Sequence, residues 1–75
     1  MTVLFFGQLA EMAGLKELTI EDTKDTAALR SLLLLRFPAL AEVVFKLAVN
    51  TIIIDKDIPL PANSIVALLP PFSGG

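Results

Sequence analysis

Cysteine, histidine, tryptophan and tyrosine are all missing from this 75-residue chain. Without cysteine there are no disulfides and no thiolate chemistry. Without histidine the commonest metal ligand and the usual general base are gone. What remains for acid–base chemistry is eight carboxylates, six basic side chains and the chain ends. A self-contained enzyme is hard to assemble from that set, and neither a metal nor a cofactor is expected on this chain. Positive charge is also scarce: the formal net charge is −2, and the basic residues form no stripe that would track phosphates, so nucleic acid is not an expected partner. Long hydrophobic runs are absent as well. The longest stretch free of polar residues, Ile65 to Phe72, holds two prolines and falls short of the roughly 18 residues that a spanning helix needs. No Lys or Arg precedes Lys16, and Val3 to Phe6 is too short for the apolar region of a signal peptide. The expectation is a cytoplasmic protein that does not enter a membrane.

What the chain does have is apolar side chains, at 55% of its residues. The length fits one domain over residues 1–75. A domain this small cannot hide every large apolar group, so an exposed apolar patch that meets a partner is expected.

Thr2 to Phe6 is β-rich, with Val3 and Phe5 on one face and Leu4 and Phe6 on the other, and it reads as a strand buried on both sides. Gly7 ends it. Gln8 to Ala13 reads as a short helical turn stopped by Gly14, which accepts the left-handed conformation. Lys16 to Ile20 alternates polar and apolar residues and predicts a second strand paired with the first. Glu21, Asp22, Thr23 and Asp25 then offer N-cap side chains for a main helix over Thr26 to Phe37. Leu29, Leu32, Leu33 and Phe37 form its apolar stripe, with Arg36 inside the stripe and obliged to snorkel, and Pro38 closes the segment. Leu34 and Leu35 lie off the stripe, so at least one of them should face solvent or sit under a neighbouring loop. Ala39 to Lys46 predicts a second short helix. Leu47 to Val49 and Ile52 to Ile54 predict strands around a turn at Asn50 and Thr51. Asp55 to Asn63 is rich in turn residues and proline, and Ile65 to Leu69 returns to strand.

The order β, β, α, β, β, β, with the last strand buried, predicts an α+β protein of the β-grasp, or ubiquitin-like, class: a mixed sheet packed against one main helix. A split ferredoxin-like arrangement wants a second long helix, which is missing.

Residues 70–75 read as a projecting tail, Pro70, Pro71, Phe72, Ser73, Gly74 and Gly75. Two prolines favour extended backbone, and six residues span roughly 20 Å when fully stretched. A terminal Gly-Gly carries no side chains to obstruct a narrow tunnel. Taken alone, such an end is more often a frayed terminus than a working part.

Val3-Leu4-Phe5-Phe6-Gly7-Gln8-Leu9, the helix pattern Leu29, Leu33, Phe37, Pro38 and Leu40, the tripeptide Ala48-Val49-Asn50, and Val66-Ala67 followed by the Pro-Pro-Phe-Ser-Gly-Gly end resemble the MoaD family. That family comprises the small sulfur-carrier subunits of molybdopterin synthases. The likeness runs over essentially the whole chain, and its final hexapeptide is the specific part. Related thiamine-pathway sulfur carriers share the Gly-Gly end but usually lack the Pro-Pro lead-in. Two places depart from the family pattern: Ala10 stands where many relatives carry Arg, and Asn63, Ser64 and Ile65 stand in place of an acidic Gly-Asp-Glu turn.

The resemblance implies that the reacting group is the C-terminal carboxylate of Gly75. An ATP-using, ubiquitin-activating-like adenylyltransferase would activate it, and a sulfur donor would convert it to a thiocarboxylate. The large synthase subunit would then use it to sulfurate cyclic pyranopterin monophosphate, supplying the catalytic side chains itself in a heterotetramer. The resemblance also implies a large-subunit contact on the sheet face away from the helix, with Phe6, Ile53 and Leu69 as its residues. A thiamine-thiazole sulfur carrier and a ubiquitin-like modifier of protein lysines are the alternatives.

Overall fold

A computed structural model describes residues 1–70. The tail positions Pro71, Phe72, Ser73, Gly74 and Gly75 lie outside the described residues. The elements run β1 (Thr2–Phe5), α1 (Gln8–Ala13), β2 (Glu17–Thr19), α2 (Thr26–Arg36), a 3-10 turn (Pro38–Glu42), β3 (Lys46–Val49), β4 (Ile52–Ile54) and β5 (Ile65–Leu69). The five strands form one sheet in the order β2-β1-β5-β3-β4, with β1 and β5 parallel and the other neighbours antiparallel. This is the β-grasp arrangement expected from the sequence. β5, last in the chain, lies at the centre of the sheet.

Strand period fixes which side chains meet the helix. Val3 and Phe5 of β1, Val66 and Leu68 of β5, and Leu47 and Val49 of β3 share one face, and all are buried. Leu29 and Leu33 of α2, one helical turn apart, close over them, joined by Leu9 of α1 and Leu40 of the 3-10 turn. Phe37 packs its ring edge-on to Phe5 at 5.5 Å between centroids. Full burial of each such side chain stabilises the fold by about 1.5–3 kcal/mol.

Local signals set the ends of α2. Asp25 has extended backbone, and its Oδ1 accepts from the Ala28 N–H at 2.8 Å, so it is the N-cap that the acidic run offered. The helix stops at Arg36, because Pro38 pushes Phe37 out of the α region. Of the two leucines off the stripe, Leu35 is 85% exposed and Leu34 is half-buried. Arg36 reaches solvent.

Thr26 anchors the loop after β4 to this helix. Its Oγ1 donates to Asp57 Oδ1 and accepts from the Ile58 N–H, both at 2.9 Å. Arg30 Nη1 donates to the same Asp57 oxygen at 2.7 Å. The Arg30 and Thr26 hydrogen bonds together hold the Asp57 carboxyl below the ordinary aspartate range.

Two expectations are corrected. β1 is not buried on both sides: Thr2 and Leu4 are half-buried and Phe6 is exposed, because the helix covers only one sheet face. Nor do residues Ala39 to Lys46 form one short helix. The helical part is the 3-10 turn Pro38–Glu42, after which Val43 is extended and Lys46 already belongs to β3. Val43 and Phe45 are half-buried while Val44 between them is 74% exposed, a period of two natural to β-branched residues.

Candidate functional site

The sheet face away from α2 follows from the pairing register. Leu4 lies opposite Glu17 on one side and Ala67 on the other, Ala67 opposite Ala48, and Ala48 opposite Ile53. These five residues cross the sheet in a single row. Leu69, two residues along from Ala67, pairs with Lys46 and shares that face. Phe6 continues the alternation of Leu4 one residue beyond β1 and sends its N–H to the Leu68 carbonyl at 3.2 Å. Phe6 (45%), Ile53 (54%) and Ile65 (50%) are the large apolar side chains most exposed on this face. Leu4, Ala67 and Leu69 are half-buried between them. The face is therefore apolar at its centre, with Glu17 at the β2 edge and Lys46 beside Leu69. Such a surface suits a partner with an apolar face of its own.

The three residues named for partner contact thus share the open face. Phe6 and Leu69 stand side by side on neighbouring strands. Ile53 sits on the edge strand β4, separated from β5 by β3, so the three do not form one tight cluster. Ile65 and Ala67 were not singled out from the sequence, although their i, i+2 spacing from Leu69 on one strand is the signal that finds them.

β5 ends at Leu69, and Pro70, which follows it, is half-buried. It lies beside Gly7, whose φ of +56° and ψ of −136° turn β1 directly into α1. A groove of about 460 Å³ borders this end, lined by Phe6, Gly7, Ala10, Glu11, Lys16 and Glu17 among others. A larger groove, about 850 Å³, lies between α2 and the segment Thr19 to Thr23. It adjoins the Thr19 end of β2, which pairs with Thr2 at the start of β1, far from Pro70. The grooves themselves offer no reactive constellation, and the tail residues Pro71, Phe72, Ser73, Gly74 and Gly75 fall outside the described region.

Asn63, Ser64, Ile65 and Ala10 can be placed in the fold. Asn63 takes the left-handed conformation with φ of +61°, and buried Ser64 donates its Oγ hydrogen to the Pro61 carbonyl at 2.6 Å. The Ile65 N–H donates to Asn50 Oδ1 at 2.9 Å, and the Asn50 N–H returns to the Ile65 carbonyl at 2.8 Å. Ala10 is half-buried. Among the described residues no group of three or more His, Cys, Asp or Glu side chains is placed to hold a metal ion. No helix there is long and apolar enough to cross a membrane.

Comparison with known proteins fits this geometry. A model of the ThiS family matches residues 3–75. The chain is 30% identical over 82 residues to the molybdopterin synthase sulfur carrier subunit of Caenorhabditis briggsae, covering 97% of this chain and 94% of that protein. Among solved structures it resembles a putative molybdopterin converting factor, subunit 1, from Pyrococcus furiosus, with a TM-score of 0.85 at 23% identity over 95% of both chains, a likeness of fold. It also resembles SAMP1 from Haloferax volcanii, with a TM-score of 0.75 at 26% identity over 99% of this chain and 97% of that one.

Proposed function

The chain belongs to the ThiS family, and from that premise we propose that it is the sulfur carrier subunit of a molybdopterin synthase, bearing its sulfur as a thiocarboxylate on Gly75. The observation that carries the reading is the end-to-end likeness to a molybdopterin synthase sulfur carrier subunit, over 97% of this chain. The Pro70-Pro71 lead-in favours molybdopterin over thiazole as the destination.

Chemistry at such a carrier divides between the chain and its partners. A free carboxylate is a poor electrophile, so an oxygen of Gly75 first attacks the α-phosphorus of ATP on an activating enzyme, with release of pyrophosphate. The resulting mixed anhydride has AMP as a good leaving group. A sulfur nucleophile from a donor then attacks the Gly75 carbonyl carbon and AMP departs. Hydrosulfide gives the thiocarboxylate directly; a donor persulfide gives an acyl disulfide, which a thiol then cleaves, leaving as a disulfide with the donor while the sulfide-level sulfur stays on Gly75. The large synthase subunit supplies the side chains that direct this sulfur onto the pterin precursor. Glycine at positions 74 and 75 leaves the carbonyl unhindered. ATP belongs to the activating enzyme, and this chain needs no cofactor of its own.

The open sheet face serves as the docking surface for the large subunit, with Phe6, Ile53 and Leu69 as contacts. In this reading residues 1–75 act as one domain, with 70–75 as the part that enters the partner. Reconstitution tests it: thiocarboxylated chain, large subunit and cyclic pyranopterin monophosphate should yield molybdopterin. Formation of a thiazole product instead, or of isopeptide adducts to lysines with no pterin sulfuration, would replace the reading with a thiamine carrier or a protein modifier.

A further inference from the structure

Parallel strands exchange hydrogen bonds in a fixed rhythm, and the β1–β5 ladder breaks it at one identifiable rung. The Phe6 N–H donates to the Leu68 carbonyl at 3.2 Å. The next rung of the same ladder would take an N–H from residue 70 to the Phe6 carbonyl. Residue 70 is proline and has no N–H to give. The Phe6 carbonyl accepts from the Leu9 N–H instead, and the Gly7 carbonyl from the Ala10 N–H, both at 3.1 Å, so β1 turns at once into α1. The two strands part with Gly7 and Pro70 facing each other.

Two features favour glycine at position 7. Its φ of +56° with ψ of −136° is backbone that L side chains rarely adopt. Space is the second: a Cβ on Gly7 would stand 3.2 Å from Pro70 Cγ, so the ring would have to give way by a few tenths of an ångström. Gly14 also has positive φ, yet a Cβ there would meet nothing within 4 Å, so of the two described glycines only Gly7 is closely approached.

We propose that Gly7 is a positioning residue for the C-terminal tail, its bare α-carbon seating the Pro70 ring and so setting the direction in which the chain leaves the sheet. This rests on the sulfur-carrier reading, in which the working carboxylate lies five residues beyond the seat. The proline ring fixes its own φ, so a seated ring leaves ψ of Pro70 as the only soft dihedral at the root. Each further residue spans at most about 3.5 Å, so the point and direction from which the last five residues start bound where Gly75 can reach. Displacement of about 1 Å at a reacting centre is enough to lower a rate by about a hundredfold.

The test compares wild type, Gly7→Ala, Pro70→Ala and the double variant in adenylation by the activating enzyme, followed as ATP–pyrophosphate exchange. Gly7→Ala should lower kcat about tenfold or more while KM for the carrier stays within about twofold, because the change is confined to the seat of Pro70 and removes no side chain that could contact the enzyme. Backbone strain at Gly7 acts in either background, but the crowding against Cγ acts only when residue 70 is proline. The Gly7→Ala penalty on kcat should therefore shrink at least about threefold in the Pro70→Ala background. Equal penalties in both backgrounds, or a change confined to KM, overturn the proposal. Should Gly7→Ala fail to fold, two measurements with Gly7 intact decide. NMR must show Gly7 α-proton contacts to the Pro70 ring in wild type, and Pro70→Ala must lower kcat; absence of either overturns the inference. Thermal unfolding of the four proteins reads the contact without any tail chemistry. Coupling there with no coupling in kcat refutes the positioning role and leaves the carrier reading intact. Wild type that is never adenylated refutes the carrier reading, and this inference with it.

Discussion

Thr26 is buried and hydroxylated, and its single oxygen serves two partners 31 and 32 residues away, Asp57 and Ile58. Replacing it with valine keeps the shape and removes the oxygen, leaving the Ile58 N–H without its acceptor. Thr26→Val should lower the unfolding free energy by about 1–3 kcal/mol, and Thr26→Ser, which keeps the hydroxyl, by about 1 kcal/mol. Urea denaturation checks both, and a valine variant as stable as wild type contradicts the role. Asp57 gives the same cluster a pH dependence. Its carboxyl is held below the ordinary aspartate range by the Arg30 hydrogen bond first and that of Thr26 second. A depressed carboxylate adds stability that is present above its unfolded pKa and lost as pH falls through its folded pKa. The gap in melting temperature between wild type and Asp57→Asn should stay constant above about pH 5 and narrow below about pH 4. A gap that is unchanged down to about pH 2 rules out this linkage. None of this was legible in the sequence. The acidic run before α2 announced a cap, and Asp25 is that cap, but nothing local connects Thr26 to a loop 31 residues on.

Elements were legible where a period or a breaker marks them. Leu29 and Leu33 announce the buried face of α2, Pro38 its end, and the pair Asn50 and Thr51 the hairpin between β3 and β4. Both turn residues have positive φ, 48° and 75°, as a two-residue hairpin loop requires. Val43 to Phe45 misled because an apolar run of that length fits strand and helix alike, and only the pairing of Lys46 with Leu69 settles it. The open face was harder still. Alternation places Leu4 with Phe6 and Ala67 with Leu69, but it does not say that one face goes uncovered; that depends on there being a single long helix. The exposure of Phe6 and Ile53 makes the face testable without unfolding the protein. Phe6→Lys should weaken binding to the large subunit by about 2 kcal/mol or more, while the isolated chain keeps its melting temperature within a few degrees. Leu69→Glu should do the same at some further loss of stability, since Leu69 is half-buried. Titration calorimetry against the large subunit gives the answer, and undiminished binding by both variants removes this face from the interface.

At the scale of the whole molecule, the topology gives the proposed carrier a firm base for the residues that follow β5. The last strand lies in the centre of the sheet, paired on both edges, so the residues after Leu69 start from the most firmly held part of the fold. The class of fold was readable from element order. The seat of the tail was not, because the contact between Gly7 and Pro70 exists only once β1 and β5 are known to be parallel and in register. The central claim is that Gly75 is the sulfur-bearing residue, and the direct measurement is intact-protein mass after incubation with activating enzyme, ATP and a sulfur donor. Wild type should gain the mass increment of one sulfur replacing one oxygen, located on Gly75 by fragmentation. A chain with one residue appended after Gly75, whose reactive carbonyl is then an amide, should gain nothing while its circular dichroism stays that of wild type. Sulfur found elsewhere on wild type, or on the extended chain without trimming, contradicts the account.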